Sequence, residues 1–233
     1  MSDSLTFGGI STPSYDVFIS GAESYNAPER DQTMVTIPGR SGDLVIDNGR
    51  YLNIIVHYPA FIRDSFRDRR DALVRAFETL KGYQRLTSTY DPDHFRMGVF
   101  CGAGEFATGP FNRSAKFTLR FNCKPQRFRL TGETQTTMSA SGTITNPTGN
   151  YALPLVRVYG SGTVTINGTA VTVSQVGSYI DIDSDLQECY EGTANRNNNV
   201  TLTEFPKLKP GSNTVTLGSG ITQIKITPRW YDL

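Results

Sequence analysis

Apolar and polar residues alternate along most of this chain. In residues 115–123, Phe117, Leu119 and Phe121 alternate with charged and polar side chains. A period of two places the apolar set on one face of a strand, so this segment predicts a sheet with one buried face. Residues 94–101 carry a similar pattern and predict a partner strand. The alternation therefore predicts a mainly β protein.

One segment, residues 63–80, follows a helical period instead. Phe66, Leu73 and Phe77 fall on one stripe, and Gly82 follows as a stop signal, so the segment predicts one amphipathic helix. Arginines interleaved with acidic residues cover the rest of its surface. This mixture of signs favours a solvated, ion-paired face over a stripe that binds nucleic acid.

A hairpin is the strongest local signal in the sequence. Residues 42–47 and 50–57 are rich in apolar residues, and Asn48 and Gly49 stand between them. Asn-Gly is the dipeptide that best accepts positive φ at both central positions of a tight hairpin turn. Because the apolar residues of both strands are consecutive, their side chains point to both faces of the predicted hairpin.

Residues 134–145 separate two halves of different composition. Lysine and arginine concentrate in the half before them, and the half after them is rich in Thr, Gly, Ser and Val. The stretch is polar and has almost no large apolar residue, so it predicts a linker between domains at 1–133 and 146–233. Short strands with turn residues between them predict an antiparallel sandwich for the second domain. These strands are predicted at residues 155–159, 163–167, 170–176, 179–183, 199–202, 213–217 and 221–228.

Composition and charge exclude several classes of protein. A net charge of +1 with 19% charged residues argues against a dedicated polyanion binder. No apolar run approaches the roughly 20 residues of a membrane helix, and the first residues lack a signal-peptide pattern, so we expect folding in the cytoplasm and no membrane partner. Cys101, Cys123 and Cys189 are an odd number without Cys-x-x-Cys spacing. They predict small buried residues and no disulfide framework.

Catalytic chemistry has little support in this sequence. His57 and His94 are the only neutral-pH bases, and neither stands in a catalytic motif. Asp91 and Asp93 next to His94 could coordinate a metal ion, but a turn before a strand is the favoured interpretation of this segment. We therefore predict no catalytic residue, no metal site and no cofactor.

A second acidic cluster consists of Asp181, Asp183 and Asp185, which alternate along a predicted strand end. They could share one face and bind calcium, but the spacing of an EF-hand is absent. A solvated strand end is the favoured interpretation.

Aromatic residues of the second half form the one surface with a possible ligand. Many sandwich domains hold sugars on exposed Tyr and Trp side chains, although packing in a core or interface is the favoured role here. The candidates for contact with a sugar or a partner are Tyr151, Tyr179, Tyr190 and Trp230.

The order of several short motifs resembles that of the distal tail proteins of phages with long, non-contractile tails. Each motif is weak alone, but together they span nearly the whole chain. They are PGRSGDL (38–44), DNGRY (47–51), LKGY (80–83), NCKPQRF (122–128), NP (146–147), PLVRVYG (154–160), FPKLKPGSN (205–213) and PRWY (228–231).

The resemblance implies a structural hub at the virion tail tip. Its first domain would be a β-sandwich with one helix and a hairpin that closes into a ring of six copies, and its second a galectin-like (jelly-roll) sandwich. The hub would join the tail tube protein to tail-associated, baseplate, fibre and receptor-binding proteins, with a channel through which DNA only passes. A lectin-like module that binds host carbohydrate is the alternative, and a glycan-cleaving enzyme is the least favoured hypothesis.

The predicted hairpin is the element that we expect to form the subunit contact. Its own domain covers one apolar face, and a neighbouring copy is the economical cover for the other. A hairpin buried wholly in its own domain remains the alternative. The candidate contact residues are Leu44, Ile46, Asn48, Gly49, Tyr51 and Ile55.

Overall fold

The computed structural model describes residues 3–104, 107–109, 111, 113–174 and 177–233. The chain divides into two compact units, the first ending at Arg127 and the second covering Phe128–Asp232. Most described residues lie in antiparallel strands, and the described part of the chain contains a single α-helix. The mainly β class with one helix is therefore confirmed.

The first unit is a curled antiparallel sheet with one helix and a separate hairpin. Its main sheet has the order β2-β1-β7-β8-β10-β6-β3, with β9 also paired to β10, while β4 and β5 pair only with each other. The elements are β1 (Leu5–Phe7), β2 (Ile10–Ser11), β3 (Val17–Ile19), β4 (Arg30–Val35), β5 (Leu44–Tyr51), β6 (Ile54–Ile62), α1 (Phe66–Glu78), β7 (Gln84–Ser88), β8 (Asp91–Ala103), β9 (Ala107–Thr108) and β10 (Ala115–Arg129).

Strands β6 and β10 form the centre of this sheet, and their alternation builds the core. Phe121 lies opposite Val56 in the antiparallel register, and both side chains are buried. The ring of Phe7 packs 5.0 Å from Phe121 and 5.2 Å from Phe77 of α1. The helix thus closes the concave side of the sheet with the stripe that its periodicity predicts.

Helix α1 is shorter than the predicted segment 63–80. Phe66, Leu73 and Phe77 are buried, as predicted. Ser65 precedes the helix in the left-handed conformation, and its side chain makes no capping hydrogen bond. Packing of the apolar stripe is therefore the main stabilising contribution to this helix.

The second unit is a two-layer sandwich. One sheet has the order β11-β21-β13-β16-β17-β18 and the other β12-β20-β14-β15-β19, and their inner faces share one apolar core. Its strands are β11 (Thr136–Met138), β12 (Gly142–Asn146), β13 (Leu155–Gly160), β14 (Gly162–Ile166), β15 (Thr169–Val173), β16 (Ile180–Asp183), β17 (Glu188–Glu191), β18 (Ala194–Asn195), β19 (Val200–Leu202), β20 (Gly211–Leu217) and β21 (Ile221–Thr227). A last strand, β22 (Tyr231–Asp232), lies outside both sheets and pairs with β10.

The predicted linker, residues 134–145, is wrong. The segment supplies β11, which pairs with β21, and most of β12, which pairs with β20. Ile144 is buried in the core of the sandwich. The exposed positions of both strands are mostly threonine, and that polarity reflects one solvated face of each sheet and no lack of structure. The division between the units follows Arg127, before the predicted end of the first domain at residue 133.

All seven predicted strands of the second half coincide with observed strands, with shifts at their ends. The predicted end of the third, at residues 175–176, lies outside the described residues. Among the cysteines, Cys123 and Cys189 are buried as predicted, but Cys101 is exposed.

Two buried carboxylates contradict the interpretation of residues 181–185 as a solvated strand end. Asp181 and Asp183 of β16 are 3% and 1% exposed. Both oxygens of Asp181 accept hydrogen bonds from Arg157 at 2.7 Å, and those of Asp183 accept from Arg229 at 2.7 and 2.8 Å. Backbone amides of residues 185 and 186 also donate to Asp183. These aspartates are structural ion-pair partners, and only Asp185 is exposed.

We predict that Asp183→Asn destabilises the second unit by about 3 kcal/mol, because it leaves the Arg229 guanidinium without its carboxylate. Urea unfolding followed by fluorescence measures this, since Trp230 is the single tryptophan and lies in the core of that unit. The matched control is Asp185→Asn, which changes the same charge at an exposed neighbour and should be nearly silent. Equal effects of both substitutions would contradict the prediction.

The same ion pair predicts how the stability of the second unit depends on pH. Burial alone would raise the pKa of Asp183, but hydrogen bonds from Arg229 and from backbone amides outweigh it and lower that pKa. A lowered folded-state pKa stabilises the fold above the unfolded-state pKa, and this contribution disappears as pH falls through the folded value. We expect wild-type unfolding free energy to drop below about pH 4 more steeply than that of Asp183→Asn. Parallel pH profiles would contradict this.

Candidate functional site

The hairpin in the structure differs from the predicted one. β5 pairs with β4 and runs through Asn48 and Gly49, so the predicted turn at these two residues is wrong. The register moves from Gln32–Asp47 to Arg30–Tyr51, which leaves extra residues on β5 and makes a β-bulge there. Gly49 has φ +72°, and its N–H donates to Asp47 Oδ1 at 2.8 Å. The permissive backbone that suits Asn-Gly to a turn serves a bulge here.

Each face of the β4–β5 hairpin has an apolar half and an ion-paired half. On one face, Val35, Leu44 and Ile46 lie toward the turn. Nearer the base of that face, Arg50 donates to Asp31 at 2.6 Å.

The opposite face repeats this arrangement. Met34 and Val45 are paired toward the turn, and Arg30 donates to Asp47 at 2.7 Å near the base. The guanidinium of Arg30 also lies over the ring of Tyr51. Both faces are therefore apolar at the outer end, as the consecutive apolar residues predict.

This apolar end is exposed to solvent in the single chain. The side chains concerned are between 38% and 58% exposed, and none belongs to the core of the first unit: Met34, Val35, Leu44, Val45 and Ile46. A cluster of five exposed apolar side chains on a two-stranded ribbon is unusual for a surface that stays in water. The hairpin therefore has the features of an interface.

The predicted contact residues divide between two elements. Leu44, Ile46, Asn48, Gly49 and Tyr51 all lie in β5, whereas Ile55 lies in β6 of the main sheet. Ile55 is 43% exposed on the outer face of that sheet. It therefore lies on the body of the unit and not on the hairpin.

Ile55 lines a groove at the base of the hairpin, which we call the base groove. Its volume is about 400 Å³, and its walls are residues 24–29 and 52–57. Backbone hydrogen bonds hold the walls together, because Ser24 and His57 exchange N–H···O bonds of 3.0 and 2.9 Å and Leu52 N donates to the Glu29 carbonyl at 2.8 Å. Backbone hydrogen bonds therefore fix the shape of the groove, and the sequence patterns above do not predict it.

The aromatic candidates of the second unit do not form one platform. Trp230 is 5% exposed in the sandwich core, so it has the packing role favoured for these aromatics and is excluded as a sugar contact. Tyr179 stacks against Arg157, with the guanidinium carbon 3.9 Å from the ring centre. Tyr190 is half-buried and faces Asp181 across the strand pair, while Tyr151 is 59% exposed outside the strands. Trp230 is apolar enough for the core, and sequence alone does not show which aromatics pack there.

The side chains of Asp91 and His94 are hydrogen-bonded at the start of β8. His94 Nδ1 lies 2.6 Å from Asp91 Oδ1, and Arg127 lies 3.5 Å from the other carboxylate oxygen. Asp93 is exposed beside them. Within the described residues, no group of three or more His, Cys, Asp or Glu side chains has an arrangement that could hold a metal ion.

A buried polar cluster stands next to this pair. The hydroxyl of Tyr58 donates to Glu23, and Arg96 donates to the other oxygen of the same carboxylate at 3.4 Å. Burial, followed by the neighbouring Glu23 charge, raises the pKa of Tyr58, so its hydroxyl stays protonated and donates. The cluster joins the segment before the base groove to the main sheet.

Over the described part of the chain, no helix has the length and apolarity to cross a membrane.

Known proteins resemble this chain in their fold. No family model and no curated protein matches its sequence. Among solved structures it matches the SPP1 Dit (gp 19.1) protein, a paradigm of the hub adsorption apparatus in phages that infect Gram-positive bacteria, with a TM-score of 0.71 and 14% identity over 97% of this chain and 98% of that one. This chain has the Dit fold.

Chains of the phage P2 baseplate in its activated conformation are also similar. The form with Ca gives a TM-score of 0.51 at 10% identity over 97% of this chain and 98% of that chain, and the form with Sr gives 0.50 at 10% over 96% and 97%. Because the Dit fold extends over both units, the resemblance in the sequence motifs is confirmed at the level of the fold. Identities this low do not transfer the role of any residue.

The positive φ of Gly49 leads to a prediction about the stability of the hairpin in this Dit fold. Gly49→Val places a β-branched side chain at φ +72°, which costs about 1–2 kcal/mol of local stability. We expect the amides of β4 and β5 to exchange hydrogen about 5- to 30-fold faster, with little change in the melting temperature of either core. Val45→Ile, a β-branched substitution at an exposed position of β5 outside the bulge, is the matched control and should leave exchange almost unchanged. Unaltered exchange in Gly49→Val would show that the bulge does not need glycine.

Proposed function

We propose that this chain is the structural hub of a phage tail tip and that it closes into a ring of six copies. The ring joins the tail tube protein on one side to tail-associated, baseplate or receptor-binding proteins on the other, and DNA passes through its channel. The protein of this fold named above is a hub, and the P2 chains come from a baseplate. Its proposed location is the virion tail tip.

The observation that carries the proposal is the hairpin with two apolar faces. An isolated two-stranded ribbon is at best marginally stable in water, and this one exposes apolar side chains on both sides. Completing the burial of one half-exposed Leu, Ile, Val or Met contributes about 1 kcal/mol. Five such side chains per copy supply about 5 kcal/mol to each contact, repeated at every interface of a closed ring.

A ring is the assembly that this surface favours. The hairpin and the body of the first unit are different surfaces, so a contact between them is heterologous. A heterologous contact closes into a ring when its rotation allows and otherwise forms an open filament. A protein at the end of a tail tube must repeat around the axis of the tube, which favours closure.

The charge of the chain is compatible with a channel for DNA. A lining of unpaired lysine and arginine would bind the phosphate backbone and retain it. The net charge is +1, and several arginines of the first unit are paired with carboxylates. We therefore propose that DNA passes through the channel without being bound by it.

The geometry of the second unit supports a structural role more than a lectin. Trp230 lies in the core, and Tyr179 is stacked on Arg157. Asp91 contacts both His94 of β8 and Arg127 of β10, which supports a structural role for this carboxylate. We propose that the chain binds proteins and catalyses no reaction.

The experiment is the mass of the protein in solution, for wild type and for Ile46→Asp. Ile46 is 47% exposed on the apolar end of the hairpin, so a charge there should not disturb the fold but should block a partner from covering it. We expect the wild type, alone or with its tube partner, at six times the chain mass of 25.7 kDa and the variant as a folded monomer. Mass photometry with circular dichroism measures both properties.

Leu186→Asp is the matched control, because Leu186 is 61% exposed and belongs to the second unit. It should assemble as the wild type does. An Ile46→Asp variant that still forms hexamers, or a wild type that remains monomeric even with its tube partner, would refute the proposal.

A further inference from the structure

The outer end of the β4–β5 hairpin is a hydrogen-bonded turn that carries one exposed basic side chain. Residues 36–43 hold two charged side chains, Arg40 and Asp43. Asp43 Oδ1 accepts a hydrogen bond from Thr36 at 3.0 Å, and Arg40 N donates to the Ile37 carbonyl at 3.1 Å. The Arg40 side chain is exposed and has no ion pair among the described residues.

The base groove presents the opposite charge. Of the residues that line it, Glu29 is the one carboxylate, and it also has no ion pair within the described part of the chain. Its other lining groups are polar or apolar, with Tyr25, Leu52 and Ile55 between 40% and 43% exposed. The groove therefore offers apolar surface and one negative charge to whatever enters it.

The two surfaces lie at opposite ends of the same hairpin. β5 has eight residues, which at about 3.3 Å per residue separates its ends by about 26 Å. Glu29 directly precedes β4 and Leu52 directly follows β5, whereas Arg40 lies beyond the far end of both strands. Arg40 therefore does not reach the base groove of its own chain.

We propose that the hairpin turn of one copy docks in the base groove of the next copy, where Arg40 pairs with Glu29. This inference rests on the proposed function, since it requires copies to assemble, and it specifies both halves of the contact. The turn is the donor and the base groove is the acceptor, so every copy uses both once in a closed ring. A hairpin of about 26 Å gives the reach for such a contact between adjacent domains of this size.

The chemistry of the two surfaces is complementary beyond the single charge pair. The apolar residues next to the turn, Leu44 and Val45, would follow it toward the apolar walls at Leu52 and Ile55. Hydrogen bonds from Asn53 Nδ2 to Tyr83 Oη at 2.6 Å and to Asn122 Oδ1 at 2.8 Å fix one wall. A groove whose walls are already held loses little conformational freedom when a second copy enters it.

The test is a charge exchange read by the association constant, with sedimentation of the full-length chain at several concentrations. Arg40→Glu and Glu29→Arg each place like charges together and should weaken association by about tenfold or more, an effect that shrinks in high salt. The double variant carries the pair in reverse order and should recover most of the wild-type association. Lys209→Glu, an exposed charge reversal in the second unit, is the control and should associate as the wild type does.

Each outcome decides the question. Recovery in the double variant supports the contact. If both single variants associate as the wild type does, or if the double variant is as weak as the single ones, this contact is wrong while the proposed ring stands. If the wild type is monomeric and neither Ile46→Asp nor any charge variant differs from it in mass, the proposed function itself fails. Circular dichroism and thermal melting verify that every variant is folded.

Discussion

A ribbon of two strands with apolar side chains on both faces has no core of its own, and the proposed function depends on this constraint. The apolar end of β4 and β5 lacks a cover from the first unit, so its side chains remain about half exposed. Hydrophobic burial then requires another surface. Ion pairs at the base of each face keep the ribbon ordered, and the bulge at Gly49 lets its strands stay paired.

In the remainder of each unit, the core side chains are buried against other residues of the same unit. In the first unit, Phe77 of α1 and Phe121 of β10 close the core of the curled sheet. In the second, two sheets cover one another, and Asp183 with Arg229 neutralise charges that would be costly to bury alone. Because these cores do not need the hairpin, the hairpin is free to contribute its apolar surface to an assembly.

Much of the fold follows from periodicity in the sequence, and the failures have physical causes. Strands with one buried face and the stripe of α1 are predicted well because burial repeats at the period of the element. The Asn48–Gly49 turn fails because positive φ suits a bulge as well as a turn, and the linker fails because edge strands of a sandwich are polar on one face. The base groove needs residues far apart in sequence, such as Tyr25 and Ile55, so no local pattern reveals it.

The central claim is that a second copy covers this hairpin in a ring, and electron microscopy of the purified full-length protein, alone and with its tube partner, tests it most directly. Class averages should show particles with six-fold symmetry and a central opening, and a reconstruction should place β4 and β5 at the contacts between neighbouring copies. Single copies under all conditions, or rings in which the hairpins remain exposed and contact nothing, would contradict it.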